Sequence, residues 1–513
     1  MTNRRPGMLF TAALLLLLCP AFLSACRTQT ATDVVTIVIE KKLNHLDPRM
    51  SVDSADERIR QLLFTSLTRK NEQFDAVPDL ATSLDAAPDH KTFTFKLREG
   101  VKFHDGRPLT SADVKYTFDT LLKLAGSQKR VELQANLDMV ETPDPQTVIF
   151  RCKNPMPGFA NIIIPIGIIP AGSEGTIAKN PIGTGPYKFV SFTEDQDITL
   201  AANEHYFGGK PAISTLRVII SPDNATRDNQ LRAGAADLAV NADLDPVTVE
   251  GLQKTPGVKV RLADGTNLAH IGINTLDPVL KDQRVRQALG YAIDREAIIR
   301  DLLRGQAKPA HSVLPVMQWA HEPGVTQYGH NPDKAKQLLD AAGKKMSGEK
   351  RFDLSLKVSP LSISRKIAEM IQEQLRIVGI NLKIETLEFQ KMNQDITDGN
   401  FQLYYRIALG ANQSPDIFRF MYHSKSIPPN GQNRMRYNNP KIDKLLDDAL
   451  TAPRDRQKQL FSDAQKILAD ELPQLYLWYP ASVIVQRDRV TDFTLDPSGD
   501  WVALRNLKLS GGQ

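Results

Sequence analysis

Residues 352–385 read FDLSLKVSPLSISRKIAEMIQEQLRIVGINLKIE, and three patterns follow one another in them. Phe352–Val358 alternates apolar with polar, the period of a half-buried strand. Ser362–Val378 reads as a helix stopped by Gly379, and Ile380–Glu385 alternates again. Strand, helix and strand in this order make a βαβ unit, whose two strands lie parallel. A parallel sheet needs cover, so this part of the chain is α/β.

The same grammar extends in both directions. VVTIVIE (34–40) reads as a strand, followed by the loop LNHLDPR (43–49) and a helical run with Ile59, Leu62, Leu63 and Leu67 on one face. KTFTFKLREGVKFHDG (91–106) holds two short strands, Phe93-Phe95-Leu97 and Val101-Phe103. His104 and Asp105 sit side by side there, but neighbours on a strand diverge, and Asp105-Gly106 signals a turn rather than a catalytic pair. In LTSADVKYTFDTLL (109–122), Thr110 and Asp113 have capping-box form ahead of the stripe Val114, Phe118, Leu121 and Leu122. LKDQRVRQALGYAIDREAIIRDLL (280–303) reads as two helices broken near Asp294, with Val285, Ala288, Leu289, Ala292 and Ile293 inward. NPDKAKQLLDAAG (331–343) carries Asn331 at the cap, Pro332 in the first turn and Gly343 as the stop. No repeat period and no low-complexity block divides the chain.

At 513 residues several domains are expected, and a composition of 41% apolar and 24% charged residues is that of a globular protein. A net charge of +5 is too small for a nucleic-acid footprint, and no basic cluster interleaved with aromatics occurs. MTNRRPGMLFTAALLLLLCPAFLSAC (1–26) has basic residues, then an apolar run, then small residues, the form of an export signal. LSAC (23–26) resembles the bacterial lipobox, which implies cleavage before Cys26, acylation of its thiol and a tether over 26–33. Cys19 would leave with the signal, so Cys152 would stand alone in the folded body as a small buried hydrophobe.

Catalytic motifs are missing. PIGTGPY (181–187) and FGGKPA (207–212) both place proline where a phosphate loop needs an amide or a hydroxyl, and read as turns. Ser173 in PAGSEG (170–175) follows Ala171-Gly172, so the nucleophile-elbow pattern is incomplete. The nine histidines are scattered without metal-ligand spacing, and His321 and His330 fall in a Pro- and Gly-rich loop. Carboxylates are abundant, but no two are singled out as a glycosidase pair. The expectation is no enzyme, no cofactor and no metal.

Eight phrases, in order along the chain, resemble the solute-binding proteins of ABC importers, in particular the large oligopeptide/dipeptide/nickel-binding family, in its lipoprotein form. They are LDPRMSVDSADERIRQLLFTSLTR (46–69), VPDLATSL (77–84), TFTFKLREGVKFHDGRPLTSADVKYTF (92–118), NPIGTGPYKF (180–189), HIGINTLDPVLKDQRVRQALGYAIDREAII (270–299), NPDKAKQLLDAAG (331–343), RYNNPKIDKLLDDA (436–449) and DELPQLYLWYP (470–480). The resemblance implies a two-lobed periplasmic-binding-protein-like fold of type II, in the large class with an extra inserted domain. Its division would be a signal peptide over 1–25, lobe one over 34–50, 180–268 and 480–513, the insert over 51–179, and lobe two over 269–479. It also implies capture of a peptide or peptide-like solute in a cleft between hinged lobes, delivery to an ABC permease, and a monomer.

Peptide-binding relatives carry a Trp-x-x-Asp pattern in the second lobe, whose aspartate holds the peptide's amino terminus. The corresponding stretch here, LYYRIALGANQSPDIFRFMYHS (403–424), has no aspartate between Arg406 and Ser414. It offers Tyr404, Tyr405, Arg406, Asn412, Gln413 and the later Asp416, which points away from a ligand held by a free amine. Arg406 is suited to a carboxylate through a bidentate contact. Asn274 and the loop from Asn44 to Asp47 lie where the family lines its cleft. Two other readings remain at this stage: a secreted hydrolase such as a glycosidase, and a structural or chaperone-like lipoprotein without solute.

Overall fold

The computed structural model describes residues 33–50, 54–125, 127, 133–408, 414–415, 417–429, 431–491, 493 and 500–510. The leader and Cys26 lie outside the described residues, as do Asn412, Gln413 and Asp416. No helix among the described residues is long and apolar enough to cross a membrane.

The βαβ unit forms as its periodicity dictates. Phe352–Val358 and Ile380–Thr386 pair in parallel, from Phe352 opposite Ile380 to Val358 opposite Thr386. The helix Ser362–Ile377 crosses between them and buries Ile367, Ala368, Ile371 and Leu375. Leu403–Ala408 joins the other edge of Phe352–Val358, also in parallel. Leu268–Ile273, Gln474–Pro480 and Ala307–Pro309 follow antiparallel to complete a six-stranded sheet. Every residue of Leu268–Ile273 is buried, since both faces of this central strand are covered.

A second sheet of seven strands runs in the order Val258–Ala263, Ser482–Arg487, Leu238–Val240, Val34–Ile39, Thr215–Ile220, Asp197–Ala202, Tyr187–Thr193. Val34–Ile39 at its centre is parallel to both neighbours. A third sheet, Ala81–Ala86, Thr92–Leu97, Thr147–Cys152 and Leu137–Asp144, is antiparallel throughout. Its core is aromatic: Phe93 stacks on Phe159 at 4.7 Å and Phe118 meets Phe150 edge-on at 4.8 Å between ring centroids. Cys152 closes this core, buried and with its thiol pKa pushed up to about 11 by burial.

Two local expectations change. Val101–Phe103 is not a paired strand; only Lys102 bridges to Pro108, while the backbone N–H groups of Phe103 and His104 donate to Arg107 and Gly183. The alternation there reports burial of Val101 and Phe103 beneath the aromatic core, not a ladder. Leu67 also lies beyond its helix, which ends at Leu63, and joins the third core instead. The capping box of Thr110 and Asp113 is present.

The chain crosses between the two α/β sheets side by side at Asp264–Asn267 and at Ala481. The crossings touch so closely that a Cβ on Gly265 would lie 1.8 Å from the Pro480 carbonyl oxygen. Only glycine fits there.

Candidate functional site

Ligands of open α/β sheets collect at the carboxyl ends of parallel strands. In the seven-stranded sheet these ends lead into Glu40, Ser221 and Asn241. Two arginines bind them together. Arg58 pairs with Glu40 at 3.0 Å and donates to the Asn241 carbonyl at 2.7 Å. Arg227 donates to the carbonyls of Ser221, Pro222 and Asp243 at 2.7–2.8 Å. Asn241 and Asp243 both adopt the left-handed backbone at φ 49°, which is uncommon for non-glycine residues and turns the chain sharply there. The Asp243 carboxyl is exposed yet hemmed by protein, and its pKa is raised, first by lost solvation and then by the charge of Glu40.

In the six-stranded sheet the corresponding ends are Val358, Thr386 and Ala408. Tyr405 is buried against the crossover-helix core, with its ring 6.4 Å from Trp478. Its pKa rises, first through burial and then through the charge of Asp243.

Tyr404 and Arg406 occupy the opposite face of the same strand. His270 lies opposite Arg406 and Gly272 opposite Tyr404. The Tyr404 ring lies across Gly272, where a Cβ would fall 2.1 Å from Cζ. Met392, Ile396 and Phe401 pack around that ring, its hydroxyl reaches Met435 Sδ at 3.6 Å, and the His270 ring meets it edge-on at 5.7 Å. Burial lowers the His270 pKa to about 3, so this histidine is neutral. Arg406 donates to Asn393 Oδ1 at 2.7 Å and lays its guanidinium over Phe389 at 5.4 Å. Its pKa falls to about 10, through burial first and then the neighbouring charge of Arg434.

Arg434 sits on a loop fixed from beneath. Asn433 is fully buried, donates to the carbonyls of His423 and Tyr437 at 3.1 and 2.7 Å, and accepts from the Tyr437 N–H at 3.0 Å. Asn393, Phe389 and His270 escape sequence reasoning because no local pattern ties them to Arg406; only the tertiary fold does.

The residues expected from the sequence divide in placement. Tyr404 and Arg406 share one face of Leu403–Ala408, and Tyr405 lies on the other, in the core. Asn44 is exposed, its backbone N–H donating to Asp56 at 2.8 Å. Asp47 is buried and accepts from Arg49 Nε and Nη2 at 3.0 and 2.7 Å. Asn274 donates to the carbonyls of Phe401 and Gly399 and accepts from the Leu276 N–H, which employs both ends of its amide. His104 braces the PIGTGPY turn, with Nδ1 accepting from the Gly183 N–H at 3.2 Å and Nε2 contacting the Gly185 carbonyl at 3.1 Å. A separate groove of about 720 Å³, lined by Glu250, Gln253, Leu262, Arg300, Arg304 and Gln306 among others, includes none of the strand-end residues. No group of three or more His, Cys, Asp or Glu suited to a metal occurs among the described residues.

Comparison with known proteins places this geometry. The family described as bacterial extracellular solute-binding proteins, family 5 Middle, matches residues 75–430. A protein of Brucella ovis, whose name assigns it to peptide binding for an ABC transporter, is 32% identical over 440 residues, 82% of each chain. The oligopeptide-binding protein AppA of Bacillus subtilis is 29% identical over 88% of this chain and 87% of its own. The solved structure of AppA with a nonapeptide superposes with a TM-score of 0.80 at 25% identity, over 93% of this chain and 99% of that one. NikA of Brucella suis in complex with Fe(III)-EDTA superposes at 0.84, also at 25% identity, over 93% and 100%. The fold is the two-lobed one of these binding proteins.

Proposed function

Because the chain belongs to the bacterial extracellular solute-binding proteins of family 5, we propose that it is the exported receptor of an ABC importer, which captures a peptide or peptide-like solute between its lobes. Lobe one would comprise 34–50, 180–268 and 480–513, the insert 51–179, and lobe two 269–479. The three sheets draw their strands from these segments, which supports the division. Cys26 would carry the lipid that holds the receptor at the membrane, with 26–33 as tether, and the monomer would hand its cargo to the permease. No bond is made or broken; the solute acts by its differential affinity for open and closed forms.

The observation that carries this reading is the double chain crossing at Gly265 and Pro480, by which the chain passes between the two α/β sheets. Two adjacent crossings make a hinge, and hinged closure around a ligand is the motion such receptors use. Tyr404, Arg406 and the stretch with Asn412, Gln413 and Asp416 are proposed to line the solute from lobe two, while Tyr405 packs into the core on the other face of the strand. Asn44, Asp47 and Asn274 are proposed to shape the rim and floor of the cleft.

Small-angle X-ray scattering with and without a pool of tripeptides tests the reading. The expected result is a smaller radius of gyration with peptide, and recovery of the peptides uncut. An unchanged scattering curve at saturating peptide, or hydrolysed peptides, would contradict it.

A further inference from the structure

The proposed insert, 51–179, is fastened to lobe one at the base of a hairpin. The hairpin strands Thr68–Lys70 and Ala76–Pro78 pair antiparallel, from Thr68 opposite Pro78 to Lys70 opposite Ala76. Lys70 is buried and pairs with Asp500 at 3.0 Å, and the Gln61 amide donates to the same carboxylate at 2.8 Å. Ile59, Leu62 and Leu63 enter the core beneath the seven-stranded sheet. Insert and lobe one therefore share a core, and the hairpin belongs to that body.

The tip of the hairpin is held in one shape. The Asn71 N–H donates to the Asp75 carbonyl at 3.0 Å, and Asn71 Oδ1 accepts from the N–H groups of Gln73 and Asp75 at 3.0 and 2.9 Å. Phe74 takes the left-handed backbone at φ 64°, which is costly for a bulky residue, and is buried. This turn sets the Asp75 carboxylate against lobe two, where it meets Arg454 at 2.9 Å across 379 positions of sequence.

Arg454 is held as firmly. It opens the helix Arg454–Glu471, where the macrodipole disfavours a cation, so its own helix does not account for it. Its guanidinium lies 3.6 Å from the centroid of the Trp319 ring, which meets Phe461 of the same helix edge-on at 6.1 Å. An aromatic plate on lobe two thus aims a cation at a carboxylate on the lobe-one body. Lys308 and Asp264 also pair between the lobes, at 2.7 Å, but Asp264 begins the chain crossing itself.

We propose that Asp75 and Arg454 form a latch between the insert and lobe two, made in the closed receptor and broken in the open one, so that the insert sets how long the solute is held. This rests on the receptor reading and gives the inserted unit a task in its cycle. The Asp75 and Arg454 side chains are 39% and 53% exposed, so the pair adds little to the stability of the fold. It acts instead on the balance between two forms of the folded protein, and solvent access makes it sensitive to salt.

The test follows binding and release of a tripeptide pool by stopped flow, read through tryptophan fluorescence. D75N and R454Q are each expected to raise the mean release rate about threefold, the scale of an exposed ion pair, and to leave the association rate unchanged. The double variant should release no faster than either single one, because the contact is lost once. Raising salt from about 0.05 M to about 0.5 M should speed release from the wild type and not from the variants. Melting temperatures of the unliganded proteins should match. Unchanged release in both variants would overturn the latch while leaving the receptor reading intact, as would additive effects in the double variant. No binding of the pool to the wild type would count against the receptor reading and the latch together.

Discussion

The Tyr404 ring lies across Gly272 on the neighbouring strand, with its hydroxyl 3.6 Å from Met435 Sδ. The relationship depends on Gly272, which leaves room for the Tyr404 ring to lie across its neighbour strand. An alanine there would push the ring by more than an ångström and move Arg406 with it. G272A is expected to weaken solute binding at least tenfold while retaining the folded circular-dichroism spectrum. Unchanged affinity would show that the ring's position is immaterial to the cleft.

Asp47 tests whether the loop Asn44–Asp47 shapes the cleft or touches the cargo. Both carboxylate oxygens are taken by Arg49, whose side chain is buried and also donates to Thr120 at 2.8 Å. Removing one partner of a buried pair strands the other charge, at a cost of about 3–5 kcal/mol. D47N should lower the urea midpoint accordingly and leave affinity in the surviving folded fraction unchanged. A normal midpoint with lost affinity would make Asp47 a contact residue instead.

The hinge makes a separate prediction. G265V would drive its side chain into the Pro480 carbonyl and separate the two crossings. Overpacking of this kind costs about 1–3 kcal/mol. The thermal transition should fall by several degrees, and solute should no longer produce full closure in scattering. Full closure in this variant would move the hinge elsewhere.

Stability should depend on pH through His104. Burial, set against a hydrogen bond to the Gly185 carbonyl, pushes its pKa down to about 4. The unfolded chain titrates near 6.5. The unfolded state therefore binds the proton first, so stability is complete above about pH 6.5 and drains as pH falls toward 4. Charging the ring would also replace the Nδ1 acceptor, which now takes the Gly183 N–H, with a donor. H104Q should remove roughly 1–2 kcal/mol of the loss between pH 7 and pH 5, read as urea midpoints. His270 and His311, lowered to about 3 and about 4, act in the same direction and leave a residual slope.

Mass spectrometry of the mature chain checks the anchor. The proposal predicts an N-terminal Cys26 bearing acyl groups, and an unmodified terminus or cleavage at another residue would defeat it.

Where the backbone decides, the sequence was informative. The crossover unit at 352–385 and the caps at Thr110 and Asn331 were legible because periodicity and capping are local properties. Val101–Phe103 misled because alternation records which side is buried, not whether a ladder forms. The site was only partly legible. Arg406 stood out within its strand, but its contacts Asn393 and Phe389 come from the preceding helix, 13 and 17 positions away. Such contacts are a property of neighbours in space, and one chain read alone does not show them.

The most direct test of a reversible two-lobed receptor is native mass spectrometry of the mature protein isolated from its own host. The account predicts a one-to-one noncovalent complex whose small solute leaves intact when the protein is denatured. A chain that remains bare after exposure to the host's peptides, or one that carries a covalently altered cargo, would contradict it.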